Sequence, residues 1–234
     1  MRRGLVVGIL VVAALTAGCT SGGSPGAGVS QPSPSAQPLV EGSELDPGTY
    51  SLVVQPGLSV TFEVGDDWTA WAFGALPTEE GAEPPSGKAF GFWIIDTVYD
   101  DVCQWQSAPP KAPGQSAAAI ARALAQQSGR EAVTEPVALE VDGYPAVQID
   151  LALSQQMDVA ACHQGQARSW TQDPVGVRYH QWAGQNDRVT LVDVGPPEDP
   201  TVVAIDALWY AETSPAARVE LDAVMDSVQI VDDR

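Results

Sequence analysis

The chain contains two histidines, His163 and His180, which are its only imidazole bases. A serine or cysteine nucleophile needs such a base within hydrogen-bond reach, because the neutral hydroxyl or thiol attacks poorly on its own. His163 adjoins Cys162, and His180 lies in the run 177–182, whose composition is typical of a strand. Neither histidine has a catalytic signature around it, so we expect both to be ordinary surface or core residues.

One hydrolase pattern, Gly-x-Ser-x-Gly, occurs at residues 22–26. The motif functions as a strained turn between a strand and a helix, and the glycine, serine and proline around this copy supply neither element. The thirty acidic side chains make an acid–base pair possible by number, but spacing in sequence cannot select one. We therefore predict no catalytic residue and no cofactor, with a carboxylate-dependent hydrolase as the enzymatic alternative.

Cys103 and Cys162 are the two cysteines beyond Cys19. In an oxidising compartment such a pair is most simply a disulfide, and the loop of about 60 residues that it closes is worth roughly 4 kcal/mol in the chain-entropy description. The alternative is a metal site that adds His163 to the two thiolates. Three ligands fall short of a closed zinc site, so the sequence favours the disulfide and predicts no metal.

Two acidic pairs, Asp66-Asp67 and Asp100-Asp101, offer oxygen ligands of the kind that hard cations prefer. The alternative is that both are solvated turns, and the absence of any calcium-loop spacing favours that interpretation.

Tryptophan is unusually frequent, with seven residues against four phenylalanines. An indole combines a large apolar face with an N–H donor, which suits both a core edge and a binding platform. Trp105 and Trp170 each lie within eight residues of a cysteine, so a disulfide would draw them together. One hypothesis is that these two rings line a partner-binding surface, and the other is that they pack in the core.

The amino-terminal segment has the order of an export signal: Arg2 and Arg3, an uncharged apolar run over residues 5–17, and then Cys19. Thirteen helical residues cover roughly 20 Å, which is less than a bilayer core of about 30 Å. The residues Thr16-Ala17-Gly18-Cys19 resemble the lipobox of bacterial lipoproteins, which implies lipid attachment at Cys19. The alternative is an ordinary secretory signal cleaved after Gly18.

Three segments follow from this organisation: a signal peptide over residues 1–18, a lipidated cysteine with a Gly/Ser/Pro-rich tether over 19–38, and a globular domain over 39–234. After removal of the signal, nine basic and thirty acidic side chains remain, a formal charge of −21. So strong a negative charge argues against nucleic acid as a partner. The expected location is the extracytoplasmic face of the cell membrane, reached through the lipid anchor.

Alternating apolar and polar residues predict several half-buried strands. The alternation is clear over residues 59–64, and over 137–142 and 147–151, which flank a turn at Gly143-Tyr144-Pro145 and predict a hairpin. Residues 90–95 have no polar face, which predicts a strand covered on both sides. Residues 189–194 and 202–210 predict a second hairpin.

Two segments have helical spacing of apolar residues. The first follows a possible N-cap at Ser116 and ends before Gly129, and the second follows Ser214-Pro215 near the carboxyl end. Because each helix has one apolar stripe, each should cover a sheet face. The predicted fold class is α+β: a single domain with a mostly antiparallel β-sheet and two amphipathic helices packed on it.

The segment Val60-Thr-Phe-Glu-Val-Gly-Asp-Asp-Trp68, a cysteine-containing stretch, the turn Asp142-Gly-Tyr-Pro145 and the final Asp226-Ser-Val-Gln-Ile230 occur in that order. This arrangement resembles exported actinobacterial lipoproteins with the PsbP-like or LpqN-like fold, a sheet flanked by helices. The resemblance implies a binding or accessory protein and supplies no catalytic residue to carry over.

Together these observations predict a membrane-anchored, non-enzymatic lipoprotein whose domain binds a small ligand or another envelope protein. An envelope hydrolase and a structural spacer are the two alternatives. An enzyme would show a cleft with two carboxylates of perturbed pKa, whereas a spacer would show no pocket at all.

Overall fold

The structure, a computed structural model, describes residues 35–79, 81–174, 176–198 and 200–234. The predicted lipid-attachment residue Cys19, the signal segment 1–18, the Gly-x-Ser-x-Gly pattern and most of the predicted tether lie outside the described residues. Within the described part of the chain, no helix is long and apolar enough to cross a membrane.

Sixteen strands and two α-helices are found in the described residues. In chain order the strands are β1 Gln37–Pro38, β2 Glu44–Leu45, β3 Gly48–Gln55, β4 Leu58–Val64, β5 Trp68–Trp71, β6 Gly74–Pro77, β7 Lys88–Ile94, β8 Thr97–Val98, β9 Ala132–Val133, β10 Val137–Val141, β11 Tyr144–Ala152, β12 Ala167–Gln172, β13 Gly176–His180, β14 Asn186–Val194, β15 Thr201–Trp209 and β16 Gln229–Asp232. The helices are α1 Ala117–Ala125 and α2 Pro215–Asp226, and two short 3-10 turns cover Val159–Ala161 and His163–Gly165.

The strands form three sheets, in which every pairing is antiparallel except that of β1 with β3. The largest sheet has the order β10-β11-β14-β15-β7-β6-β5-β2, with β9 also paired to β11. A four-stranded sheet has the order β1-β3-β4-β16, and a three-stranded sheet has the order β13-β12-β8. The predicted α+β class with a mostly antiparallel sheet and two helices is therefore confirmed.

The central strand β15 is buried on both faces and separates two hydrophobic cores. Its residues Val203, Ile205 and Ala207 face one core, together with Leu221 and Val224 of α2. The alternate residues Val202 and Ala204 face the second core, which is completed by apolar residues of α1: Ala117, Ile120, Ala121 and Leu124. Each helix thus covers one sheet face with a single apolar stripe, as its spacing predicts.

Both helices begin where the sequence predicts. The Ser116 side chain accepts a hydrogen bond from the Ala119 N–H at 3.3 Å, and Ser214 accepts one from Ala217 at 3.1 Å. The α1 backbone N–H of Ala117 also donates to Asp193 Oδ1 at 2.7 Å, which attaches this helix end to β14. These caps satisfy amide groups that have no partner within a helix.

Element ends differ from the prediction in three places. The β10–β11 hairpin turns at Asp142-Gly143, so Tyr144 and Pro145 belong to the strand. The two turn residues both have positive φ, 49° and 79°, a conformation that aspartate and glycine tolerate. Helix α1 ends at Ala125, earlier than the predicted stop at Gly129. Helix α2 ends at Asp226, and residues Gln229–Asp232 after it form strand β16, which pairs with β4 and which the sequence pattern did not predict.

The three-stranded sheet covers the large sheet on the same side as α1. The Trp170 ring of β12 packs edge-on against Trp93 of β7, with ring centroids 6.1 Å apart. Arg178 of β13 reaches Asp206 of β15 and Asp187 of β14. A group of polar side chains is therefore buried between the two sheets, and the candidate site lies beside it.

Candidate functional site

Four charged side chains and one histidine are buried together between the large and the three-stranded sheet. We refer to Arg130, Arg178, His180, Asp187 and Asp206 as the ion cluster. Arg178 Nε donates to Asp206 Oδ2 at 2.5 Å, and its Nη2 donates to Asp187 Oδ1 at 2.8 Å. Arg130 Nη1 and His180 Nδ1 each lie 3.9 Å from Asp187 Oδ2. With a neutral histidine, two guanidinium groups balance two carboxylates.

Burial sets the protonation of this cluster. Desolvation lowers the pKa of His180 to about 3, so the imidazole is neutral at physiological pH. The same effect raises the pKa of Asp206 to about 6, although Arg178 opposes the rise. Desolvation also lowers the pKa of Arg130 to about 10, which leaves this guanidinium charged. At neutral pH the cluster thus carries nearly no net charge, which is how buried charges are tolerated.

Three residues of this region, Ser169, His180 and Asp187, have the side-chain types of a serine hydrolase triad. Ser169 Oγ lies 2.7 Å from His180 Nε2, whereas the imidazole Nδ1 is 3.9 Å from Asp187 Oδ2. All three side chains are buried, and Ser169 Oγ also accepts from Arg130 Nη2 at 2.7 Å. A histidine with a pKa near 3 is a weak base, and substrate has no access to this serine. We interpret the arrangement as structural hydrogen bonding.

A cavity of about 370 Å³ opens beside the ion cluster, and we call it the aromatic pocket. Its lining comes from the β5–β6 hairpin, the loop before β7, β7 itself, β13, the segment before β14, and β15. Eight of the twelve lining residues are apolar. The lining residues are Trp71, Phe73, Leu76, Ala82, Trp93, Val177, Arg178, Tyr179, Gln181, Trp182, Gln185 and Leu208.

One wall of the aromatic pocket is a continuous cluster of rings. Phe73 stacks on Trp93 with centroids 4.0 Å apart and an interplanar angle of 17°. Trp71 packs edge-on against Phe73 at 5.2 Å, and its Nε1 donates to the Phe90 carbonyl at 3.0 Å. The tight turn between β5 and β6 places Trp71 and Phe73 next to each other, while β7 supplies Trp93. These contacts hold the rings in place before any ligand binds.

The other part of the lining joins the pocket to the ion cluster. Arg178 belongs to both, and Gln185 connects them: its Nε2 donates to Asp187 Oδ1 at 2.5 Å, while its Oε1 accepts from Tyr210 at 3.3 Å. Tyr179 and Trp182 are more accessible than Trp93. The carboxylates of Asp187 and Asp206 are buried and do not line the pocket. The pocket is consequently an apolar site with a charge-balanced floor.

Cys103 and Cys162 form a disulfide, with 2.05 Å between the sulfur atoms and 4.6 Å between the Cα atoms. Next to it, the Trp105 Nε1 donates to the backbone carbonyls of His163 and Gln166 at 3.1 and 3.0 Å. His163 Nδ1 accepts from the backbone N–H of Gln106 at 2.9 Å. His163 therefore holds the local backbone in place. Both sulfur atoms are in the disulfide, which is the pairing that the sequence favoured over a metal site.

The hypothesis that Trp105 and Trp170 line an exposed partner-binding surface is wrong. The two residues are only 7% and 1% exposed. Trp105 lies beneath the guanidinium of Arg168, 3.6 Å from its ring centroid, and Trp170 is covered by the large sheet through Trp93. Nearness to the disulfide in sequence does not imply exposure, because β12 turns its tryptophan inward.

The acidic pairs fit the interpretation as turns. Asp101 Oδ1 accepts from the backbone N–H groups of Cys103 and Gln104 at 2.8 and 2.7 Å, and Asp100 pairs with Lys111. Asp67 adopts a positive φ of 66° in the turn before β5. Among the residues that the structure describes, no group of three or more histidine, cysteine or acidic side chains is arranged to hold a metal.

Sequence reasoning missed the ion cluster and the aromatic pocket. The signal for the first was present: Asp206 is a lone charge in the otherwise apolar run of β15, and a charge in a doubly buried strand requires a buried partner. The pocket had no such signal, because its rings come from four separate parts of the chain: the β5–β6 hairpin, β7, β13 and the segment before β14.

No protein-family model matches the chain, and no curated protein matches its sequence. Among solved structures, the chain is similar to LpqN, described as involved in cell envelope biogenesis of Mycobacterium tuberculosis. The identity is 13%, the TM-score is 0.41, and the match covers 78% of this chain and 91% of that chain. The likeness is a weak resemblance to the LpqN-like fold, and so low a score supports no conclusion about function.

Proposed function

We propose that this protein is a ligand-binding lipoprotein of the cell envelope, held at the membrane by a lipid on Cys19. The aromatic pocket is its binding site, and it takes a small molecule with an apolar surface. The observation that carries the proposal is the cavity of about 370 Å³ with eight apolar lining residues. Small-molecule sites are typically preformed cavities of roughly 300 to 1,000 Å³ with a mostly apolar lining and a few polar groups.

The pocket favours binding over the two alternatives. A spacer has no need of an open cavity lined with tryptophan, because exposed apolar surface costs solubility. A carboxylate-dependent hydrolase needs acids that reach the substrate, whereas Asp187 and Asp206 are both bound to Arg178 behind the pocket lining. The polar side chains in the lining are few, which suits a ligand with a mostly apolar surface.

Binding can be tested with 4-fluorobenzyl alcohol, a soluble probe with one apolar ring, and the full-length protein in a nonionic maltoside detergent. Broadening of the probe's fluorine NMR line reports binding. We expect Val177→Lys to weaken binding at least roughly tenfold, because it places a charge in the apolar lining where desolvation is costly.

The matched control is Val53→Lys, the same substitution at a β3 residue that is 70% exposed and does not line the pocket. It should bind the probe like the unmodified protein and also corrects for uptake of the probe by detergent. Equal broadening by all three proteins would show that the probe binds elsewhere and would contradict the proposed site.

A further inference from the structure

Five aromatic residues line the aromatic pocket from different elements: Trp71, Phe73, Trp93, Tyr179 and Trp182. The face of an aromatic ring carries the negative part of its quadrupole, so a cation within about 6 Å of several ring faces is attracted to all of them. The attraction is strongest when the cation is removed from water. A cavity that is both aromatic and apolar supplies that environment.

The charge of the protein acts in the same direction. The chain has a formal net charge of −19, and such a field concentrates small cations near the surface. The cation in the lining, Arg178, does not cancel this effect, because Asp206 and Asp187 accept from it at 2.5 and 2.8 Å. The floor of the pocket is therefore close to neutral, and an incoming cation meets no uncompensated positive charge there.

The kind of cation follows from the acceptors that the lining offers. A primary ammonium has three N–H donors, and burying them without acceptors is unfavourable. The Gln185 amide already has both polar ends engaged, with Asp187 and Tyr210, and Arg178 is a donor. The side-chain acceptors that remain in the lining are those of Gln181 and Tyr179, which are both exposed. A quaternary ammonium has no N–H group and an apolar outer surface, so it needs rings rather than acceptors.

We infer that the ligand of the aromatic pocket is an organic cation of the quaternary ammonium class. This inference rests on the proposed binding function and adds the chemical class of the ligand. Of the five rings, Tyr179 is exposed, Trp71, Phe73 and Trp182 are half-buried and Trp93 is buried, so the first four are the rings that the cation can contact.

The test compares choline with 3,3-dimethyl-1-butanol, which has the same shape with carbon in place of the charged nitrogen. Isothermal titration of the full-length protein in a maltoside detergent gives both affinities. We expect choline to bind at least roughly tenfold more tightly, because its charge adds the cation–π attraction and the attraction to the acidic protein, whereas shape and apolar surface are the same in both ligands. Equal affinities, or no choline binding, would overturn the inference.

The matched variants are Trp182→Leu, in the pocket, and Trp209→Leu, a half-buried tryptophan outside it. Trp182→Leu keeps an apolar side chain but loses the ring, so the preference for choline over the alcohol should fall roughly threefold or more, while Trp209→Leu leaves it unchanged. An unchanged preference in Trp182→Leu would contradict the ring's role. If 4-fluorobenzyl alcohol binds, Val177→Lys weakens that binding and choline is not preferred, the inference about the ligand class is wrong and the proposed binding function stands. If neither 4-fluorobenzyl alcohol nor choline binds, both the inference and the proposed function are wrong.

Discussion

Replacing Arg178 by methionine tests whether charge balance stabilises the ion cluster. The guanidinium binds Asp206 and Asp187 at 2.5 and 2.8 Å, and the three side chains are almost fully buried. Methionine keeps the apolar stem but leaves two buried carboxylates with Arg130 as the only remaining cation of the cluster. Removing one partner of a buried ion pair costs roughly 3 to 5 kcal/mol, so we expect the free energy of unfolding at pH 7 to fall by about that amount.

The loss should also depend on pH. Burial raises the pKa of Asp206 to about 6, and Arg178 opposes a further rise, so this pKa is higher in the variant. Between pH 7 and pH 5 the folded variant then binds protons that the unfolded chain, with a carboxyl pKa near 3.9, does not bind. A folded state that binds more protons gains stability as pH falls, by up to about 1.4 kcal/mol per pH unit for each group. The unmodified protein gains about 1.4 kcal/mol between pH 7 and pH 5 from a pKa of about 6, and the variant, whose pKa is higher, gains up to about 2.7 kcal/mol. The difference between the two proteins should therefore shrink by about 1 kcal/mol at pH 5.

Urea unfolding followed by tryptophan fluorescence at pH 7 and pH 5 measures both effects. The control is Arg168→Met, because the Arg168 guanidinium stacks on Trp105 and has no carboxylate partner among the described residues. It should lose at most about 1 kcal/mol, equally at both pH values. A loss below about 1 kcal/mol in Arg178→Met, or a loss that does not shrink at pH 5, would refute the argument from charge balance.

Three further predictions concern single features. Because burial lowers the pKa of His180 to about 3, its ring should not titrate between pH 8 and pH 5 in NMR spectra, and a ring titration near 6.5 would contradict its burial. The unfolded chain binds a proton at this histidine below about pH 6.5 and the folded protein does not, so the free energy of unfolding should fall as pH falls below that value. Reduction of the Cys103–Cys162 bond should lower the free energy of unfolding by roughly 2 to 4 kcal/mol. Urea unfolding with and without dithiothreitol measures this change, and an unchanged midpoint would contradict the stabilising role of the disulfide. Cys19→Ser should move the protein from the carbonate-washed membrane fraction to the soluble fraction, and its retention in the membranes would exclude the lipid as anchor.

The fold was predictable wherever one face of an element is apolar. The strand over 58–64 alternates between buried and less buried residues, and the unbroken apolar run that contains Phe90 and Phe92 is buried on both faces. Serine residues at positions 116 and 214 correctly mark the helix starts. In these segments local periodicity and tertiary burial agree, so a single sequence is sufficient.

The candidate site was not predictable, because its parts are brought together by sheet pairing. Phe73 and Trp93 stack although they lie in different strands or turns, and Tyr179 enters from another sheet. The sequence also suggested two tryptophans for a binding surface, and both are buried for packing reasons. An aromatic residue of a binding wall and one of a core have the same local pattern, so only the tertiary structure separates them.

The four-stranded sheet is completed by residues from opposite ends of the described chain. Strand β16 pairs with β4, and the backbone N–H of Glu63 donates to Ser227 Oγ across 164 residues. During synthesis, β4 is therefore made long before the strand that covers its edge. The edge of β4 stays unpaired until β16 has been synthesised. Folding of this sheet cannot be completed cotranslationally on the early strands alone. Chains that terminate before β16 should accordingly aggregate or be degraded by proteases, and should not accumulate as folded domain.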